Sequence, residues 1–263
     1  MSDKHFTYFK NLDALRAMAA FAVVFAHLSY WIKYPDTRFF DFFKTIISFD
    51  KNGGRFGVIF FFALSGFLIT YLMYTEQEKL GRLNVFFFYI RRVLRIWPLY
   101  YLTLIIGFLI YPWLTHLYGN QHHENASWVL FSVFAANFDH IYNGYPSTGI
   151  LGVQWSVAVE EQFYLLWPLL FICFSRKKYF PYLLLSLLFL SELFYIKTGA
   201  ALQAGDYHFV TCLRYLTFGG ILGYLSFHKM DRLQFILNKI TKAAIFFIYA
   251  LCLFIMMLQN IIM

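Results

Sequence analysis

The feature that most constrains this chain is a succession of apolar runs, each about as long as a bilayer is thick. They fall near residues 12–32, 56–74, 96–115, 151–174, 180–196, 208–227 and 243–262, close to the roughly 20 residues that a helix needs to cross a hydrocarbon core. Composition agrees: 60% of residues are hydrophobic and 14% charged, whereas a soluble domain carries roughly 25% charged. With 34 Phe and 20 Tyr, one water-soluble core could not hide the apolar surface. In lipid every backbone polar group must be paired internally, which leaves helices and closed barrels. Alternating strands of the barrel type are not seen. The expected fold is therefore an all-α polytopic membrane protein, a bundle of about seven transmembrane helices. No linker, charge block or repeat divides the chain, so residues 1–263 read as one membrane domain.

The formal net charge of +8 does not point to nucleic acid, because the cations lie between apolar runs, where Lys and Arg set topology. With the N-terminus inside, fourteen Lys and Arg fall on inner segments and six on outer ones, and His116 to Tyr145 holds none. This predicts a multi-pass plasma-membrane protein with a cytoplasmic N-terminus. Cys173, Cys212 and Cys252 each sit in an apolar run without a metal-spaced neighbour, so no metal site is expected. The stretch Ser127 to Phe138 is too short to cross and reads as an interfacial or re-entrant helix.

A charge inside a span costs at least about 2.5–3.5 kcal/mol at the helix centre and needs a partner, a cavity or a task. Three clusters qualify. In the first run Arg16 and His27 are eleven residues apart, three turns plus roughly 20°, which places them on one helix face about 16 Å apart. Asp13 lies one turn before Arg16. Arg16 alone could snorkel and His27 could make one structural hydrogen bond, but an imidazole on a shared polar face is also the usual general base. The second cluster is Arg91-Arg92-Val93-Leu94-Arg95-Ile96-Trp97-Pro98. Arg91 and Arg95, one turn apart, can present two guanidinium forks to a phosphate, or serve as an ordinary positive flank. Arg95, nearest Pro98 and the span, is expected to face inward. In the third, Ser156, Glu160 and Tyr164 recur every four residues beside Trp155 and Glu161, giving a polar stripe on an apolar helix. Glu160 either neutralises an Arg of another span or works chemically, and Glu161 either joins it or reaches the interface. Ser65-Gly66 within a span suggests close helix packing, and Arg214 suggests either a Glu partner or a binding wall.

Together these stretches resemble acyltransferase family 3, integral-membrane acyltransferases that modify extracytoplasmic glycans. The match is carried by Arg16 with His27 after ten intervening residues, Phe61 to Leu68, Arg91 to Pro98, and Trp155-Ser156 through Glu160 to Tyr164. It runs from about Leu12 to Leu225. Two departures stand out: Ile59 occupies a position that is often polar or acidic in the family, and members commonly have about ten spans. The chain is therefore expected to be a fragment or to lack C-terminal helices.

The resemblance implies an O-acyltransferase, an enzyme transferring groups other than amino-acyl groups. It would move an acyl group, acetyl being commonest, from cytoplasmic acyl-CoA to a hydroxyl of an extracytoplasmic polysaccharide or glycolipid. Acyl-CoA is then a co-substrate and no cofactor is bound. The implied catalytic residues are His27, Arg16, Glu160 and Tyr164. Arg91, Arg92, Arg95, Trp155 and Ser156 would hold acyl-CoA, and Asp13, Ser65 and Arg214 would support them. His27 would either activate the acceptor or transiently carry the acyl group, Glu160 would orient His27 or pair with Arg16, and Tyr164 or Ser156 would donate to the oxyanion. The competing class is a polytopic transporter or flippase of a lipid-linked or acyl substrate, its path lined by the same stripe.

Overall fold

Small residues decide how the helices come together. The computed structural model describes residues 12–31, 50–119, 123–199 and 203–229, and among these there is no strand. The helices are α1 (Leu12–Trp31), α2 (Asp50–Leu80), α3 (Val85–Ile105), α4 (Tyr111–Leu117), α5 (Trp128–Ser132), α6 (Ala136–Asn143), α7 (Gln154–Phe174), α8 (Phe180–Gly199) and α9 (Phe209–His228). A π-helical turn over Ile106–Ile110 joins α3 to α4, so Val85 to Leu117 is continuous. Four segments are long and apolar enough to cross a membrane: Gly54–Leu80, Val85–Leu117, Gln154–Phe174 and Phe180–Thr198. α1 and α9 coincide with two further expected runs, each as a helix of 20 residues. The run at 243–262 lies outside the described residues. The two segments that meet the length test with a shifted start, α2 and α3, begin six to eleven residues earlier than the apolar runs at 56 and 96. α3 begins at an N-cap: the Asn84 side chain accepts from Phe87 N–H at 3.2 Å.

α2 is the central column, packed against α1 on one side and α9 on the other, with α9 also against α8. The α2–α9 seam is nearly side-chain-free. A Cβ at Gly66 would fall on the Leu216 carbonyl, one at Gly219 on the Ala63 carbonyl, and one at Gly223 would lie 2.6 Å from Phe67 O. Lipid offers no hydrophobic drive to pair helices, so close backbone contact and dispersion do the work, and small residues permit both. α7 locks onto this seam through Trp167. Its indole donates to Thr70 Oγ1 at 2.9 Å and fills the space left by Gly220, whose Cβ would stand 2.7 Å from Trp167 Cζ2. Similarly, a Cβ at Gly57 would lie 2.8 Å from Ala19 O, and Leu12 lines one hollow with Ala63 and Phe67, so α1 runs antiparallel to α2.

Tyr74, Phe171, Phe180, Tyr224, Phe227 and His228 interlock at one end of the bundle. This end carries Lys79, Arg82, Arg91, Arg176, Lys177, Lys178 and Lys229 and is here the basic end. The opposite, acidic end holds residues 123–153 and the 3-10 turn Gln203–Asp206. Residues 127–138, expected as one short helix, form parts of two: α5 and α6 meet at Phe134, whose φ is +56°, a left-handed conformation costing an aromatic residue about 1–2 kcal/mol. Three side chains hold that turn from beneath. Tyr100 OH donates to Phe131 O at 2.7 Å, Tyr101 OH to Ser132 O at 3.0 Å, and Gln162 Nε2 to Phe134 O at 2.8 Å.

Candidate active site

The polar stripe of α7 meets α2 at the middle of the bundle. Ser65 Oγ donates to Glu160 Oε1 at 2.9 Å, and Tyr164 OH lies 3.1 Å from both Glu160 Oε2 and Ser65 Oγ. The i, i+4 spacing puts Glu160 and Tyr164 on one face, and Ser65 reaches them because Gly66, next in sequence, lets α2 lie flush on α9. A carboxylate receiving two hydroxyl hydrogen bonds away from water is a proton acceptor held in place on two sides.

α3 supplies positive charge. Arg92 stands 5.3 Å from the centre of the Tyr164 ring and 5.5 Å from that of Phe88, within cation–π range. Glu160 acts electrostatically on Arg92, as do the like charges of Arg95 and Arg16, so guanidinium groups of α1 and α3 share this region. One residue along, Glu161 Oε2 accepts from Trp97 Nε1 at 3.1 Å. Arg92 Nε and Glu161 Oε1 are buried with no hydrogen-bond partner. In a folded protein such atoms are rare and each asks for an explanation. Here a donor and an acceptor flank the Glu160 site.

Several expectations change in the structure. Arg92, not Arg95, is the arginine that turns inward: Arg95 is exposed. The difference is one of helical phase: Arg92 lies one turn after Phe88 and over the Tyr164 ring, while Arg95, about 60° further round the helix, falls at the exposed edge of that face. Arg91 is tied to Glu76 at 2.9 Å rather than forming a fork with Arg95. Trp155 and Ser156 lie at the acidic end of α7, nine and eight residues before Tyr164, or about 12–14 Å along the axis, so they do not stand beside the arginines. Trp155 packs instead on Tyr207 and Phe62, at 4.9 and 6.1 Å between ring centres. Ser156 Oγ donates to Val153 O at 3.1 Å, within its own helix start.

On α1, Arg16 is half-buried on the side that holds buried Ala19, and Asp13 and His27 are exposed. Because Ala19 meets Gly57 and α1 runs antiparallel to α2, His27 lies roughly 20 Å along the bundle from Ser65 toward the acidic end. Glu160 therefore does not orient His27. Of the two readings for Arg214, the partner reading holds: Nη1 donates to Glu192 Oε2 at 3.2 Å and Nη2 to Tyr215 OH at 2.7 Å. Among the described residues no group of His, Cys, Asp or Glu could hold a metal ion.

Sequence reasoning missed the cap that covers α3 and α7 at the acidic end. Gln162 Nε2 also donates to Asn137 Oδ1 at 2.7 Å, and Asn137 Nδ2 donates to Tyr207 O at 3.1 Å. Asp139 Oδ1 accepts from Ser127 N–H at 3.0 Å and Asn143 Nδ2 at 2.7 Å. Glu124 collects the backbone N–H groups of Ala126, Ser147 and Thr148 at 2.8–3.1 Å. Burial pushes the Glu124 carboxyl up, but the bonds from Thr148, Ala126 and Ser147 outweigh it and leave the group below its ordinary value. Buried His140 is held below the usual imidazole range, chiefly by desolvation. The one sequence signal for this cap was Gln162, which continues the Glu160-Glu161 polar patch.

The chain matches the acyltransferase family 3 model, described as an acyltransferase domain, over residues 9–263. It is 32% identical over 186 residues, 68% of this chain and 27% of the relative, to the peptidoglycan O-acetyltransferase OatA of Listeria monocytogenes. To the O-acetyltransferase OatA of Staphylococcus aureus it is 30% identical over 214 residues, 78% of this chain and 30% of the relative. The chain thus spans less than a third of the length of these curated relatives. No solved structure matches it.

Proposed function

The chain belongs to the acyltransferase family whose model it matches from residue 9 to 263, and on that premise we propose that it is a membrane O-acyltransferase moving acetyl from cytoplasmic acetyl-CoA to a hydroxyl of an extracytoplasmic glycan. The observation that carries this reading is the Ser65–Glu160–Tyr164 triangle with Arg92 above it, in the interior of an apolar bundle. Both OatA relatives are named O-acetyltransferases, which supports acetyl as the group, and the Listeria name supports peptidoglycan as the acceptor class.

The excess of Lys and Arg at the basic end supports placing that end in the cytoplasm, which also puts the start of α1 there. The donor enters from this side, with Arg92, Arg95 and Arg16 as its positive surroundings. The acceptor hydroxyl gives its proton to Glu160 as its oxygen attacks the thioester carbonyl. The developing oxyanion is stabilised by Arg92 and by the Tyr164 hydroxyl. The C–S bond then breaks, and the CoA thiolate takes up the proton from Glu160. His27, further toward the acidic end, meets the acceptor on its approach, and Arg16 adds charge on the donor side.

The test uses the purified chain in detergent with acetyl-CoA and a β-1,4-linked N-acetylglucosamine tetramer. Free CoA thiol should appear in step with an acetyl ester on the tetramer, read by mass spectrometry. Intact acetyl-CoA crossing a liposome membrane without ester formation would mark a transporter and reject the proposal.

A further inference from the structure

The geometry points to a saccharide-binding subsite at the acidic mouth of the bundle, formed by the Arg55–Asp206 ion pair and the Trp155–Tyr207 ring pair. Arg55 Nη2 meets Asp206 Oδ1 at 2.5 Å, and the two side chains are 41% and 42% exposed, so both remain open to a ligand. Arg55 also lies within electrostatic reach of Tyr195, Tyr215 and Tyr207. Directly after Asp206, Tyr207 presents its ring edge-on to Trp155, 4.9 Å between centres at 88°. The site therefore gathers one half-open ion pair and a set of aromatic walls from α2, α7, α8, α9 and the turn before α9.

Its chemistry selects hydroxyls over anions. Each local guanidinium already carries a carboxylate, Arg55 with Asp206 and Arg214 with Glu192, so no net positive charge is left for a phosphate. A sugar hydroxyl donates and accepts at once, which suits an ion pair whose carboxylate can accept and whose guanidinium can donate. The C–H face of a pyranose is apolar and suits an aromatic wall, the mixture of apolar lining and few polar groups that marks small-molecule sites.

Position supports the same reading. Arg55 precedes Ser65 by ten residues, about 15 Å along α2, and Trp155 precedes Glu160 by five, about 7.5 Å along α7. Between them the rings run inward as Tyr207, Trp155 and Phe62, and Phe62 is one turn from Ser65. A sugar bound at the mouth directs the next residue of its chain toward Glu160. The subsite depends on the acyl-transfer reading only for the conclusion that its saccharide is the acceptor.

The test measures binding, not turnover. The purified full chain is titrated calorimetrically with the N-acetylglucosamine tetramer, and Asp206→Asn and Arg55→Gln are compared at unchanged melting midpoint. The expected result is binding by the wild type and at least a tenfold weaker affinity in both variants, about 1.4 kcal/mol. If Asp206→Asn melts early, Arg55→Lys serves instead, since it keeps the charge and loses the planar fork. Equal affinity in wild type and variants, or displacement of the tetramer by inorganic phosphate, would overturn the subsite. Variant-sensitive binding without any acetyl transfer would uphold it while removing the enzymatic reading, and transfer with unaltered tetramer affinity would do the reverse.

Discussion

Replacing Gly66 by Ala should separate two helices and disable the site next to it. The added Cβ would stand 2.8 Å from the Leu216 carbonyl carbon and 3.1 Å from Gly220 N, both backbone atoms that cannot swing aside. Because the Cβ falls on the Leu216 carbonyl oxygen itself, relief requires α2 and α9 to part by about 1–1.5 Å at this point, in a close-packed seam. Overpacking of this kind costs about 1–3 kcal/mol, which for a chain of this size is a fall of about 2–12 °C in melting midpoint. Ser65 moves with its neighbour, and its bond to Glu160 at 2.9 Å has little slack before it exceeds hydrogen-bond range. Activity should therefore drop more than stability alone explains. Gly107→Ala is the matched comparison, because its Cβ meets side-chain atoms of Leu151, Cγ and both Cδ carbons, and no backbone. Melting in detergent and acetyl-transfer rates read both effects. A Gly66→Ala protein as stable and active as Gly107→Ala would show that the helices do not approach this closely.

Glu160→Gln should lower the transfer rate by about 10²–10⁴, and Tyr164→Phe by about 10–100-fold, the equivalent of one hydrogen bond to a charged group; near-wild-type rates in both would take the chemistry elsewhere. His27→Ala should reduce transfer to the saccharide without changing KM for acetyl-CoA, whereas Arg95→Ala should raise that KM, and a reversal of the two patterns would invert the assignment of sides. Acid should loosen the cap in two stages. His140, held below its ordinary value, contributes stability that declines as pH falls below about 6.5, because the unfolded chain takes up the proton first. Glu124, also depressed, contributes stability present above about 4.3 and lost as pH drops through its folded value. Hydrogen exchange of residues 123–153 between pH 7 and 3 reads both stages, and Glu124→Gln should remove the lower one.

The long helices and the Glu160–Tyr164 side of the triangle were legible because each follows a local rule. Apolar length predicts the long helices, four-residue spacing predicts that Glu160 and Tyr164 share a face, and Ser65-Gly66 announces close packing. What could not be read was set between helices. Whether Arg92 or Arg95 faces inward depends on how α3 is rotated against α7, about which the spacing of arginines says nothing. The resemblance groups Trp155 with the arginines at acyl-CoA, yet motif membership carries no axial position, and the rise along α7 puts them apart. Helical spacing puts Arg16 and His27 on one side of α1, yet Arg16 is half-buried and His27 exposed, and the antiparallel register of α1 on Gly57 decides how far His27 sits from Glu160. The cap was invisible because a Phe at positive φ has no sequence signature, and the conformation persists through donors supplied by Tyr100, Tyr101 and Gln162.

The π-helical turn at Ile106–Ile110 has a bearing on how this architecture can vary in length. Such a turn houses one residue more than an α-helical turn does, so it works as slack in an otherwise rigid rod. Deleting a single residue there should let the turn relax to ordinary α-geometry while Tyr100 below and Trp113 above keep their bearings. The same deletion between Gly57 and Gly66 would swing Ser65 through about 100° and disconnect it from its partners. Relatives that differ by one residue in this region should therefore carry the difference in the turn between α3 and α4 and keep the central column constant, a pattern open to inspection wherever their lengths diverge.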